Sequence, residues 1–269
     1  MPGSPASGSP ASDHPASDRR PARRLALVLA ADPADPATAG HAAAELRHLR
    51  RTLGDGATDG YLRTAPAVNP LADQGGMMAS SPVGVCLDLG LADDLGDAAL
   101  LGALDGFAAR HPGVFAAEGS AVLVGPVHRL RERPLTAHQR ATAIRVIVAV
   151  RPRAGLTAER FRAGWLRAGT VNQRNHPTCS AYAQQHADTA LTMLAARCLG
   201  LPGAPFAGLA IEVFGGPADL RVGHHWARSP ESVDGTPEPA AHLMELLGRY
   251  LDFAGALTFV ATENPDSYP

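Results

Sequence analysis

Apolar and polar positions alternate along the chain in short stretches that predict a repeated order of strands and helices. Residues 25–31 form an apolar run of strand length, ended by Asp32 and Pro33. Residues 41–53 instead space Ala42, Leu46, Leu49 and Leu53 at helical intervals and stop at Gly54. A strand is predicted over 59–65. Another follows over 83–89, where Val83, Val85, Leu87 and Leu89 alternate with Gly84, Cys86 and Asp88. A helix over 97–110 and a strand over 121–128 complete a β-α-β-β-α-β unit.

The second half repeats the order. Residues 145–150 read as a strand, and Thr157 caps a helix with Phe161, Trp165 and Leu166 on one side. Strands are predicted over 179–188 and 208–214, with an irregular or partly helical insertion between them. Helical material is expected over 217–228 and 239–253, and a strand over 257–262 closes the set. The predicted fold class is α+β: two tandem ferredoxin-like repeats forming a dimeric-type α/β barrel within one chain. Helices cover one face of each sheet, so pairing the other faces buries them and leaves a barrel-like cavity. The expected division is a disordered tail over 1–24, a first repeat over 25–128, a linker over 129–142 and a second repeat over 143–269. One chain suffices for closure, so a monomer or a homodimer is expected.

Composition narrows the chemistry. All 24 basic residues are arginine, so Schiff-base catalysis, pyridoxal phosphate anchoring and a P-loop lysine are excluded. The net charge of -2 gives no reason to expect nucleic acid or an anionic membrane as partner. No stretch approaches the roughly 20 apolar residues of a membrane span. Cys86, Cys179 and Cys198 form no CxxC pair, so neither a disulfide framework nor a metal site is predicted, and a cytoplasmic location is expected.

The stretch 179–188 carries the candidate chemistry. Alternation places Ser180, Tyr182, Gln184, His186 and Asp188 on one face, against Ala181, Ala183, Gln185 and Ala187 on the other. Small alanines suit packing under helices, so the polar face is expected to line the cavity. His186 is the candidate general acid or base, Tyr182 a donor to a carbonyl or developing enolate, and Asp188 a partner for His186 if the strand bends. Gln184 is a candidate ligand contact; the alternative is that Gln184 and His186 simply bond across the barrel. His224, His225 and Trp226 are expected to border a pocket. Glu212 lies in an apolar strand and either faces the cavity or pairs with Arg145. His128 and His176 read as surface or loop residues, Phe161 and Trp165 as core. Arg63 and Asp88 are strand-borne charges without an assigned partner.

Three segments carry a family resemblance. Residues 151–165 (Arg-Pro-Arg-Ala-Gly-Leu-Thr-Ala-Glu-Arg-Phe-Arg-Ala-Gly-Trp), the run Tyr182-Ala-Gln184-Gln-His186, and the closing Phe-Val-Ala-Thr-Glu-Asn-Pro of 259–265 resemble the EthD family of the dimeric α-β barrel superfamily. Family members commonly carry a His shortly after the helix Trp; here Trp165 is followed by Leu-Arg-Ala-Gly-Thr-Val, and that His is missing. The resemblance implies a cofactor-independent tailoring enzyme acting on a hydrophobic, polyketide-like or aromatic intermediate. Cyclisation or a related carbon–carbon bond rearrangement is favoured over decarboxylation and oxygenation. A haem-binding tandem barrel, with His186, His224 or His225 on the iron, is a second reading. A non-catalytic barrel that binds a small molecule is the third.

Overall fold

The apolar run after the tail forms strand β1 (Arg23–Ala30), and its last six residues are buried. The computed structural model describes residues 22–32, 35–53, 83–175, 177–228 and 245–262. Strands β2 (Val83–Gly90) and β3 (Ala116–Glu132) flank β1, each antiparallel to it. β3 continues beyond β1 and pairs with β5 (Cys179–His186), so one sheet crosses from the first half into the second. There β6 (Gly208–Phe214) lies between β5 and β4 (Ile144–Pro152), and β7 (Leu251–Thr262) flanks β4. The result is a curled, half-barrel antiparallel sheet of order β2-β1-β3-β5-β6-β4-β7.

Helices cover the outer face. In the first half α1 (Pro36–Leu53) and α2 (Asp97–Leu104) pack Leu46, Leu49, Leu100 and Leu104 on Leu25, Leu27 and Leu87. The helix expected over 97–110 is broken, because Asp105 leaves the helical region and Gly106 turns left-handed at φ 71° before α3 (Phe107–Arg110). Residues 129–142 hold the end of β3 and a short helix, α4 (Ala137–Thr142), whose N-cap Thr136 forms a capping box with Gln139. In the second half α5 (Ala158–Asn175) lays Phe161 and Trp165 on the sheet, with Thr157 Oγ1 accepting from the Arg160 N–H.

The insertion after β5 is a regular helix, α6 (Thr189–Cys198). Its Leu191, Ala195 and Ala196 join the first-half core, which ties the two halves together. Helix α7 (Pro217–Arg228) follows β6 with the expected bounds. The helix expected to run to Phe253 is overturned. A single turn over 245–248 gives way to β7, because Leu251 and Asp252 already pair with Pro152 and Arg151. The strand expected over 59–65, with Arg63, lies outside the described residues.

The inner face carries a buried apolar cluster that includes Ala26, Val28, Leu123, Ile147, Leu209 and Phe259. Asp88 is buried beside it in an ion pair with Arg24 at 2.6 Å. No helix among the described residues is long and apolar enough to cross a membrane.

Candidate ligand cleft

β5 turns its polar row toward α5, not toward the inner face. Tyr182 packs with Phe161 and Trp165, and the ring of His186 lies 4.7 Å from that of Trp165. On the opposite side Ala187 joins the inner cluster, and Gln185 donates to the carbonyls of Arg24 and Leu123. The expected orientation is therefore inverted. Helix α5 can lie directly over long polar side chains because Gly169 stands where a Cβ would collide with Gln184. The helix, rather than the strand, supplies the small residue.

Hydrogen bonding fixes the row. Gln184 Nε2 donates to the Trp165 carbonyl at 3.1 Å and to Tyr182 Oη at 2.8 Å. Both amide protons are thereby used, and Gln184 Oε1 faces His186 Nε2 at 3.3 Å. An amide oxygen only accepts, so His186 Nε2 carries the proton and Nδ1 holds the lone pair. Burial, helped by His128 and Arg162, pushes the His186 pKa down to about 3. The ring is neutral at physiological pH, which leaves a lone pair to accept a proton, though with less basicity than a free imidazole, and excludes it as an acid in its resting state. Burial also lowers the His128 pKa. The Tyr182 phenol is pushed well above its ordinary value, first by burial and then by Glu212.

His186, itself only 2% exposed, lies against a cleft at the end of the row. Pro126 and His128 of β3, Arg162 and Leu166 of α5, and His186 and Asp188 line a cleft of about 380 Å³. The His128 and His186 rings meet edge to face at 4.9 Å. β3 approaches the end of β5 closely because Gly125 leaves room; a Cβ there would collide with the His186 carbonyl and crowd the Asp188 amide. His128, read from sequence as a surface residue, belongs to this site. The signal was the β3 alternation: continued past Val122 and Val124, it places His128 on their face and opposite Gln184.

Other expected contacts form differently. Asp188 does not bond His186; it caps α6, its Oδ1 accepting from the Leu191 N–H at 3.1 Å. The pairing of Glu212 with Arg145 is not made. Glu212 stands opposite Tyr182 and Val146, whereas Arg145 stands opposite Val213, so the two side chains leave opposite faces of the sheet. Burial pushes the Glu212 pKa up to about 7. His224, His225 and Trp226 fall in the last turns of α7, and their side chains lie outside the described residues, as does His176.

A second polar cluster went unread in the sequence. Glu45 is fully buried on α1, held by Arg110 Nη2 and Nε at 2.7 and 3.0 Å and by His111 Nε2 at 2.7 Å. His111 Nδ1 in turn lies 3.0 Å from His41 Nδ1, a contact that needs one proton between two rings. Burial alone would raise the Glu45 pKa, but the bonds and charges of Arg110 and His111 outweigh it and the carboxyl is held below its ordinary value. The spacing of His41 and Glu45 is helical, but their partners come from a segment more than 60 residues away.

A mixed α+β chain with a curled antiparallel sheet and helices on its outer face is the class this fold defines. No family model matches the chain, and no curated protein matches it. In fold the chain is similar to an anthrone oxidase-like protein, at 10% identity over 92% of each chain and a TM-score of 0.54. Looser likenesses include a candidate monooxygenase from Lactobacillus acidophilus, at 10% identity over 91% of this chain and 94% of that one, with a TM-score of 0.45. A haem-binding protein from Thermus thermophilus is 12% identical over 91% of this chain and 92% of that one, with a TM-score of 0.40.

Proposed function

We propose that this chain is a cofactor-independent tailoring enzyme for a hydrophobic, polyketide-like or aromatic molecule, and that it works by acid–base chemistry in the His128–His186 cleft. The reaction is cyclisation or a related carbon–carbon bond rearrangement. The observation that carries the reading is the neutral, hydrogen-bonded His186 ring opening on a cleft of about 380 Å³, within the usual ~300–1,000 Å³ of small-molecule sites. His186 takes a proton from an acidic carbon flanked by carbonyls, and the resulting enolate carbon attacks a carbonyl carbon of the same molecule. One carbon–carbon bond forms, and the alkoxide recovers the proton from His186. Tyr182 and Gln184 hold the ring in position from beneath.

Strand order supports the tandem architecture with repeats over 25–128 and 143–269. β1 lies between β2 and β3 as β4 lies between β6 and β7, the equivalent places in two β-α-β-β-α-β units. The EthD-like segments and the anthrone oxidase-like neighbour point toward an aromatic or polyketide-like ligand. Haem fits His186 poorly, because its Nε2 is engaged by Gln184 and Trp165 packs on the ring.

Anthrone, an enolisable aromatic ketone, provides the test. The chain is expected to accelerate exchange of its methylene protons in heavy water, followed by NMR, and His186→Gln to slow that exchange about 100-fold or more. Equal rates for the two proteins would remove His186 from the chemistry. A second reading, a non-catalytic binding barrel, draws on the internal satisfaction of Tyr182 and Gln184; it expects anthrone bound but exchanging at its solution rate.

A further inference from the structure

Arg162 gives the cleft a charge preference that proton transfer alone does not require. Its guanidinium donates to the Ala187 carbonyl at 3.3 Å and forms no ion pair among the described residues. A guanidinium carries five N–H donors, so most of them remain for a ligand or for water. No other lining group forms an ion pair with it among the described residues: His128 and His186 are uncharged, Pro126 and Leu166 are apolar, and Asp188, a carboxylate on the same wall, has its Oδ1 on the Leu191 N–H of α6.

Resting on the cleft reading above, we propose that the cleft takes an aromatic or polyketide-like molecule bearing one ionised oxygen group, an enolate, phenolate or carboxylate, seated on Arg162. Charge-assisted bonds from a guanidinium to such an oxygen are the strong ones, and the apolar wall receives the carbon skeleton. The same contact tunes the base. Arg162 is one of the charges that lowers the His186 pKa, so an anion neutralising it raises the basicity of His186 where the substrate binds.

Two fluorescent dyes with the same aryl frame separate the possibilities: the anion 8-anilino-1-naphthalenesulfonate and the neutral N-phenyl-1-naphthylamine. The anion is expected to bind about tenfold tighter, and Arg162→Gln to abolish that margin while leaving the neutral dye's affinity unchanged. Equal affinities in the unaltered chain, an anion preference that survives Arg162→Gln, or an equal loss for both dyes would each overturn the inference. Ala163 also lines the cleft and is exposed, so Ala163→Trp fills the space without disturbing the core. Both dyes are expected to be lost from Ala163→Trp. If they stay bound, or if neither dye binds the unaltered chain, the cleft reading itself falls, and the charge preference with it.

Discussion

Glu45 and Arg162 sit on the helix-covered faces of the two halves in opposite circumstances. The carboxylate of Glu45 is fully buried and receives bonds from both Arg110 nitrogens and from His111, which leaves little of its acceptor capacity unused. Arg162 is exposed, forms no ion pair among the described residues and shares its cleft with two neutral imidazoles and with Asp188, whose Oδ1 caps α6. The cavity beside His111 measures about 110 Å³, below the usual range of ligand sites, whereas the Arg162 cleft measures about 380 Å³. Arginine, histidine and a carboxylate therefore fasten α3 to α1 in one half and leave an open cleft in the other. What separates structure from site is whether the polar groups are saturated by the chain itself.

The largest expected effect breaks the closed cluster. Glu45→Ala strands Arg110 and His111 beside a cavity and is expected to cost about 3–5 kcal/mol in urea unfolding. Dye binding to the folded fraction should be unchanged. A small stability loss accompanied by weakened binding would reverse the comparison.

Acid titration comes next. The unfolded chain protonates His186 near its ordinary value of 6.5, but the folded chain resists until about pH 3. Stability from this group is therefore present above pH 6.5 and is lost as pH falls toward 3, by up to about 1.4 kcal/mol per pH unit. Glu212 acts in the opposite sense: its folded pKa of about 7 lies above its ordinary 4.5, so its contribution is present below pH 4.5 and fades as pH rises to 7. Between these limits the two slopes offset one another. His186→Gln should expose a stability that declines from pH 4.5 to 7, and Glu212→Gln one that declines from pH 6.5 to 3; parallel profiles for both variants would refute the assigned shifts.

Asp188→Ala removes a helix cap and is expected to cost about 1 kcal/mol in thermal unfolding. The smallest stability effect belongs to Arg162→Gln, within about 0.5 kcal/mol, despite its expected loss of dye selectivity. A larger destabilisation would mean that Arg162 supports the fold as Arg110 does.

Local pattern was enough for many elements. β6 and α7 carry the bounds expected from the sequence, each bordered by glycine or proline. The faces of β5 were legible as two sets, but not which set met the helix. That choice is made by Gly169, on a different element, whose missing side chain admits Gln184. His128 escaped notice because its neighbours come from β5 and α5, and the Glu45 cluster because α1 and α3 meet only in the folded chain. Periodicity reads the face of an element; it does not read what the face meets.

Anthrone exchange in heavy water, compared across the unaltered chain, His186→Gln and Glu45→Gln, tests the distinction most directly. The expected result is a rate lost with His186→Gln and kept by the folded fraction of Glu45→Gln. Loss in Glu45→Gln alone, or the same rate in all three proteins, would contradict the assignment of the chemistry to the cleft.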